Sequence, residues 1–146
     1  MNIAIVGATG NVGRKTLEVL EKKELFIDNL YLVASPKSAG KKISFRDKEH
    51  EVFDLENFDF SKVKIAFFAA GGKISEKFAE KAAKHCVVID NSSFYRMDPD
   101  VPLIVPQVNS DDLKNNKKNI IANPNCSTAQ LVIALKPLHD LFVIKR

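Results

Sequence analysis

The chain has 146 residues, 45% of them hydrophobic and 27% charged, enough for one globular domain with a sizeable core. No apolar run reaches the roughly 18–20 residues of a membrane span, and Met1–Val6 lacks the basic leader of a secretory signal. The net charge of +4 is scattered through pairs such as Lys22-Lys23 and Lys117-Lys118, which argues against a nucleic-acid footprint, and two cysteines, Cys86 and Cys126, suit a reducing cytoplasm.

Asn2 to Val6 is a short apolar run closed by Gly7, the pattern of a buried parallel strand. Gly7-Ala8-Thr9-Gly10-Asn11-Val12-Gly13 follows, and then Arg14 to Lys23 with Leu17 and Leu20 on one helical face. Strand, glycine turn and helix open a dinucleotide-binding unit. The spacing is G-x-x-G-x-x-G rather than G-x-G-x-x-G, but the physical roles persist. One glycine allows the tight turn, one lets backbone approach a pyrophosphate, and one packs helix on strand. The helix N-terminus then offers N–H groups and a positive dipole end to phosphates. Arg14-Lys15-Thr16 resembles a P-loop tail, yet arginine stands where that motif needs lysine. A purely structural glycine turn is the competing reading.

A second strand is expected at Leu30 to Ala34. An NAD site would place an acid near its end to hold the ribose 2′-OH. This chain offers Ser35-Pro36-Lys37-Ser38-Ala39-Gly40 instead. The hydroxyls of Ser35 and Ser38 and the cation of Lys37 favour a 2′-phosphate, so NADP is the expected cofactor, with a plain polar loop as the alternative.

Ile43–Phe45 and Glu49–Phe53 flank Arg46-Asp47-Lys48 as a hairpin, and Asp54–Ser61 has no clear pattern. Lys64 to Ala70 is a further buried strand ending in Gly71-Gly72, where backbone can approach a ligand, and Ile74 to His85 is an amphipathic helix. Val87 to Ile89 leads to the loop Asp90–Arg96, which leaves the sheet on the same edge. Arg96 in that loop suits an anion site, against the alternative of a surface salt bridge. Pro99, Pro102 and Pro106 hold an extended connection, a short helix capped by Ser110 spans Ser110–Lys114, and Asn119 to Ala122 is the last strand. Alternating strands and helices predict an α/β, Rossmann-like doubly wound and mostly parallel sheet with helices on both faces.

The stretch Asn123-Pro124-Asn125-Cys126-Ser127-Thr128 then turns into the apolar run Ala129–Leu135. Pro124 disfavours helix at Asn123, and Ser127 or Thr128 is a suitable cap. Cys126 therefore sits at or just before a helix N-terminus, where the dipole favours a thiolate. Cys86, beside Val87-Val88-Ile89, reads as an ordinary buried cysteine. A thiolate beside a nicotinamide suggests aldehyde chemistry through a thioester, which also needs a base. His139 is too far along the helix to serve, Pro137 notwithstanding, and His85 lies at the wrong edge of the sheet.

The glycine turn, Ser35–Gly40, Asp90-Asn91 through Arg96-Met97-Asp98-Pro99-Asp100-Val101-Pro102-Leu103, and Asn123–Thr128 together resemble the N-terminal portion of the bacterial aspartate-semialdehyde dehydrogenase family. Acetylglutamyl-phosphate reductases share the early glycines but differ around the cysteine, and glyceraldehyde-phosphate dehydrogenases differ at both places. The resemblance implies that Cys126 forms an acyl thioester between aspartyl phosphate and aspartate semialdehyde. The parent pathway would feed lysine, threonine, methionine and diaminopimelate synthesis.

By the same resemblance Thr9, Gly10, Asn11 and Val12 match the pyrophosphate loop, and Lys37-Ser38 match an Arg-Ser pair at the NADP 2′-phosphate. Lysine there keeps the charge but loses the bidentate fork. Arg96 matches an arginine that holds phosphate, with Asn91 and Asn125 beside the substrate. Gln107 stands where glutamate is usual. Residues 1–122 are then the NADP-binding domain. Residues 123–146 are the cysteine segment and the start of a catalytic and dimerisation domain, with its first strand beginning at Phe142–Arg146. A homodimer is implied for the intact enzyme, no metal is called for, and the 146-residue chain alone is expected to be inactive. A non-catalytic NADP-binding or interaction module is the rival reading.

Overall fold

Four consecutive apolar residues make β1 (Ile3–Val6), and all four are buried, as befits a strand covered on both faces. In the computed structural model, which describes residues 1–145, this strand lies at the middle of the sheet. The other strands are β2 (Leu30–Ala34), β3 (Lys42–Phe45), β4 (Lys48–Asp54), β5 (Ile65–Phe68), β6 (Val87–Asp90) and β7 (Ile120–Ala122). Their order is β3-β4-β2-β1-β5-β6-β7, and every pairing is parallel except β3 with β4. The chain reverses direction of travel across the sheet between β1 and β5, which opens a crevice at the carboxyl ends of those strands.

Alternation along β1 divides the core. Ile3 and Ile5 face Leu17 and Leu20 of α1 (Asn11–Glu21), with Leu32, Phe45 and Val52. Ala4 and Val6 face Phe78, Ala79 and Ala82 of α2 (Gly72–Ala83), with Ala66, Phe68, Val88 and Ile120. Each buried leucine or phenylalanine contributes about 1.5–3 kcal/mol. The expected doubly wound α/β sheet with helices on both faces is thus present. On the α1 side, however, Phe67, Ile89 and Ile121 of β5, β6 and β7 are only half-buried. That half of the face carries no helix among the described residues.

Several boundaries differ from those expected. α1 begins at Asn11, not Arg14, because Gly10 is extended (φ −80°, ψ 168°) and its carbonyl accepts the Arg14 N–H. Gly71, at φ +87°, lets α2 start at Gly72. The stretch without clear pattern is two short 3-10 turns, Leu55–Asn57 and Phe60–Lys62, begun by the Asp54 and Asp59 side chains. The hairpin turn is Arg46-Asp47, both at positive φ (48° and 60°). Arg46 also donates to the carbonyls of Leu20, Lys23 and Leu25, which ties the hairpin to the end of α1.

The cap expected at Ser110 is instead Asn109, the end of an extra short helix α3 (Pro106–Asn109), and its Oδ1 accepts the Val105 N–H. Pro137 does not end the last helix, α4 (Cys126–Phe142). A proline's φ is compatible with helix, the backbone bond lost is the one residue 137 would donate to the Ile133 carbonyl, and the Lys136–Asp140 pair braces the turn that follows. Of the strand expected at Phe142–Arg146, Phe142 is helical, Val143 is a left-handed cap and Arg146 lies outside the described residues. At the β7 edge, Ala122 exchanges backbone bonds with Pro102 and Ile104. No described helix is long and apolar enough to cross a membrane.

Candidate functional site

The loops that follow β1, β2, β5, β6 and β7 all leave the sheet on its carboxyl edge. The first turn is close-packed for a physical reason. A side chain on Gly7 would lie 2.8 Å from the Ala69 carbonyl, and one on Gly13 would collide with the Gly7 carbonyl oxygen. Both positions therefore exclude a Cβ, and Gly7 also sits at φ +87°. Among the described residues, the N–H groups of Asn11, Val12 and Gly13 have no protein acceptor. Three donors are thus left at the start of α1.

Gly7, Thr9 and Gly10 line a groove of about 350 Å³ with Ala34, Ser35, Leu55, Ala69, Ala70 and Ile74. Ser35 precedes a 3-10 turn, Pro36–Ser38, on which Lys37 is exposed. No acid ends β2. Asp54, opposite Ala34 on β4, has its oxygens occupied by the Glu56 N–H and the Asn57 amide. Gly71 and Gly72 open α2 beyond the same crevice. A shallow groove beside a helix N-terminus, with glycines where backbone must approach, fits a dinucleotide.

Cys126 is the first residue of α4 and is exposed. Its cap is Asn125 rather than Ser127 or Thr128: the Asn125 Oδ1 accepts the Ser127 N–H at 3.0 Å and the Ser127 hydroxyl at 2.7 Å. The thiol stands 3.7 Å from the same oxygen. The N–H groups of Cys126 and Thr128 have no acceptor among the described residues, so two backbone donors remain beside the sulfur. Cys86 differs in every respect. It is buried against the Ala82 carbonyl, and burial pushes its thiol up to about 11.

Arg96 is drawn to the cysteine segment. Its Nε donates to the Asn123 carbonyl at 2.9 Å and one terminal nitrogen donates to the Asn91 carbonyl at 3.1 Å. The Asn123 amide in turn donates to Asn91 Oδ1 at 2.6 Å. Asn91, Arg96 and Asn123 thus form one unit, with Asn123 three positions before Cys126 and part of the guanidinium still free for an anion. Beside them an apolar groove of about 350 Å³ runs between Val12 and Val19 of α1 and the open face at Phe67 and Ile89. His139 stands thirteen positions past Cys126, roughly 20 Å along a helix. His85 precedes β6 at the opposite edge, and His50 lies on β4.

One group went unread in the sequence. Asp90 is fully buried and bonded to Ser75 and Ser92. The signal was an acid closing the apolar run Val87-Val88-Ile89. No described cluster of histidine, cysteine and carboxylates could hold a metal.

A family profile described as semialdehyde dehydrogenase, NAD binding domain, matches residues 2–116. The aspartate-semialdehyde dehydrogenase of Legionella pneumophila is 52% identical, aligned over 100% of this chain and 43% of that protein. The aspartate semialdehyde dehydrogenase II of Vibrio cholerae, solved in complex with ASA, superposes with a TM-score of 0.96 at 50% identity, over 99% of this chain and 48% of its own. That of Candida albicans, solved with NADP, gives 0.75 at 30% identity, over 98% and 48%. The chain spans under half the length of these relatives.

Proposed function

Since the chain belongs to the semialdehyde dehydrogenase NAD-binding domain family, we propose that it carries the cofactor site and nucleophile of an aspartate-semialdehyde dehydrogenase. The reading rests on one observation above others. An exposed cysteine opens α4 on the sheet edge that also carries the Gly7–Gly13 turn.

In the forward direction the Cys126 thiolate attacks the carbonyl carbon of aspartyl 4-phosphate, and the C–O bond to phosphate breaks. Arg96 holds the departing phosphate, with Asn91 and the free amide of Asn125 beside it. A thioester remains on Cys126. A nicotinamide held beside the Gly71–Gly72 turn would supply the hydride that takes this carbonyl to the aldehyde level. The backbone donors at Cys126 and Thr128 face charge developing on the carbonyl oxygen. Collapse then frees aspartate semialdehyde and restores the thiolate. Asn11, Val12 and Gly13 offer N–H groups to the pyrophosphate, Gly71 and Gly72 admit the nicotinamide half, and Ser35, Lys37 and Ser38 receive a 2′-phosphate, so NADP is preferred. Residues 1–122 are the cofactor domain, and 123 onward begins the catalytic part of a homodimeric cytoplasmic enzyme.

Titration of NADPH and NADH into the chain, followed by cofactor fluorescence, tests the cofactor assignment. NADPH should bind tighter, and equal affinities would sink the NADP preference. Alkylation of Cys126 should slow when phosphate is added. The 146-residue chain by itself should show no turnover, since no described histidine approaches Cys126. Phosphate-dependent reduction of NADP with aspartate semialdehyde would refute that expectation.

A further inference from the structure

We propose that the Asp90 carboxylate is a positioning residue that locks the first turns of α2 to the Asn91–Arg96 loop, so that cofactor and anion bind in a coupled way. The proposal rests on the site reading above and adds a physical link between its two halves.

Asp90 is fully buried, and its partners are neutral. Ser75 Oγ donates to Oδ1 at 2.7 Å, the Ser92 N–H donates to Oδ1 at 3.0 Å, and Ser92 Oγ donates to Oδ2 at 2.7 Å. Burying a carboxylate without a cation is costly even when its hydrogen bonds are met. Packing does not demand it. The cross-strand neighbours at the same level are Phe68 on β5 and Ala122 on β7, both apolar and buried.

What the acid does is join elements that chain connectivity leaves apart. Ser75 lies in the first turn of α2, directly after the Gly71–Gly72 turn. Ser92 Oγ, besides donating to Asp90, accepts the Phe94 N–H at 3.1 Å. Phe94 Cβ in turn lies 3.9 Å from where a side chain on Gly72 would begin. The start of α2 is therefore bonded to the end of β6 and lies beside the loop at Phe94. On the other side, the Asp90 carbonyl accepts the Asn123 N–H at 2.8 Å. Asn91, the next residue, holds both Arg96 and Asn123. A shift of the α2 turn when a cofactor occupies it is carried to the guanidinium through two serines and one carboxylate. Coupling of this kind must be reciprocal: each ligand tightens the other by the same factor.

The test uses the 146-residue chain, with inorganic phosphate and NADPH as probes. Phosphate affinity is read from the slowing of Cys126 alkylation and NADPH affinity from its fluorescence, each with and without the other. In the parent chain each is expected to tighten the other about fivefold or more. Ser75→Ala and Ser92→Ala should each remove that factor, while Ser93→Ala, on the same loop but outside the network, should keep it. Asp90→Asn should weaken phosphate about tenfold. Should it fail to fold, the two serine variants still decide the matter. Coupling that survives both serine substitutions overturns the proposal. So does a parent chain that binds both ligands without mutual effect. A parent chain that fails to bind one or the other overturns the underlying site reading, and the proposal with it.

Discussion

Leu17 and Leu20 of α1 are 5% and 6% exposed, whereas α4, at 17 residues, has no buried side chain at all. Both helices begin on the same edge of the sheet, and both present backbone donors at their first turns. α1 is held there by the core. α4 is held by what precedes it, the Asn125 cap, Pro124, and the Asn123 contacts to Asp90, Asn91 and Arg96, and by a small contact with α3. The contrast separates two ways of placing a reactive group. Tertiary burial fixes the cofactor turn, while hydrogen bonds, one local cap and several reaching across the fold, fix the nucleophile.

Substitutions can break or sharpen that contrast. The largest effect is expected from Gly13→Ala, whose added carbon would strike the Gly7 carbonyl and lie 2.8 Å from Ala8 Cα. A loss of about 3 kcal/mol or more, together with NADPH binding, should appear in thermal unfolding and titration. Leu17→Ala should cost about 2–4 kcal/mol in urea unfolding. Leu141→Ala on α4, where the side chain is 75% exposed, should change stability by less than about 0.5 kcal/mol. Equal costs for the two leucines would erase the distinction drawn here.

Arg46→Ala removes a guanidinium shared by three carbonyls at the end of α1 and should cost about 1–2 kcal/mol in the same assay. A further effect concerns pH. Burial raises the Cys86 thiol from near 9 to about 11, so the folded state holds a proton that the unfolded chain releases between those values. Stability should therefore decline as pH rises through about 9 to 11, and Cys86→Ala should flatten that decline. In native protein at neutral pH, alkylation should reach exposed Cys126 well before Cys86.

The parts of the molecule governed by local chemistry were legible in the sequence. Ile3–Val6, Leu30–Ala34 and Val87–Ile89 announce strands by unbroken apolar runs, and Gly7, Gly10 and Gly13 announce a turn that at Gly7 and Gly13 tolerates no side chain. Features set by competition were not. Ser127 and Thr128 look like caps, but Asn125 reaches the Ser127 N–H first. Pro137 looks like a terminator, but its ring removes one backbone donor only, and the turn after it is braced by the Lys136–Asp140 pair. Asp90 passed as the start of a polar loop because its partners, Ser75 and Ser92, come from different elements and meet only on folding. Within the candidate site, residue types pointed to Cys126 and Arg96. The bond from Arg96 to Asn123, which ties the two together, required the fold.

The Pro102–Ile104 segment bears on how the protein keeps to itself. The strand β7 is three residues long, and the outward backbone groups of its last residue, Ala122, are taken by Pro102 and Ile104, with Leu103 bridged to Ala122. At the far side of the sheet, β3 is short and carries the paired charges of Lys42 and, across the hairpin, Glu49. Neither margin offers a long run on which another chain could template a strand: β7 is three residues long and partly covered, and β3 is four residues long beside paired charges. The larger sticky surface is the exposed apolar side chains of α4 and the open face. Detergent or added salt should reverse such clusters, and a cross-β fibre is not their natural end state.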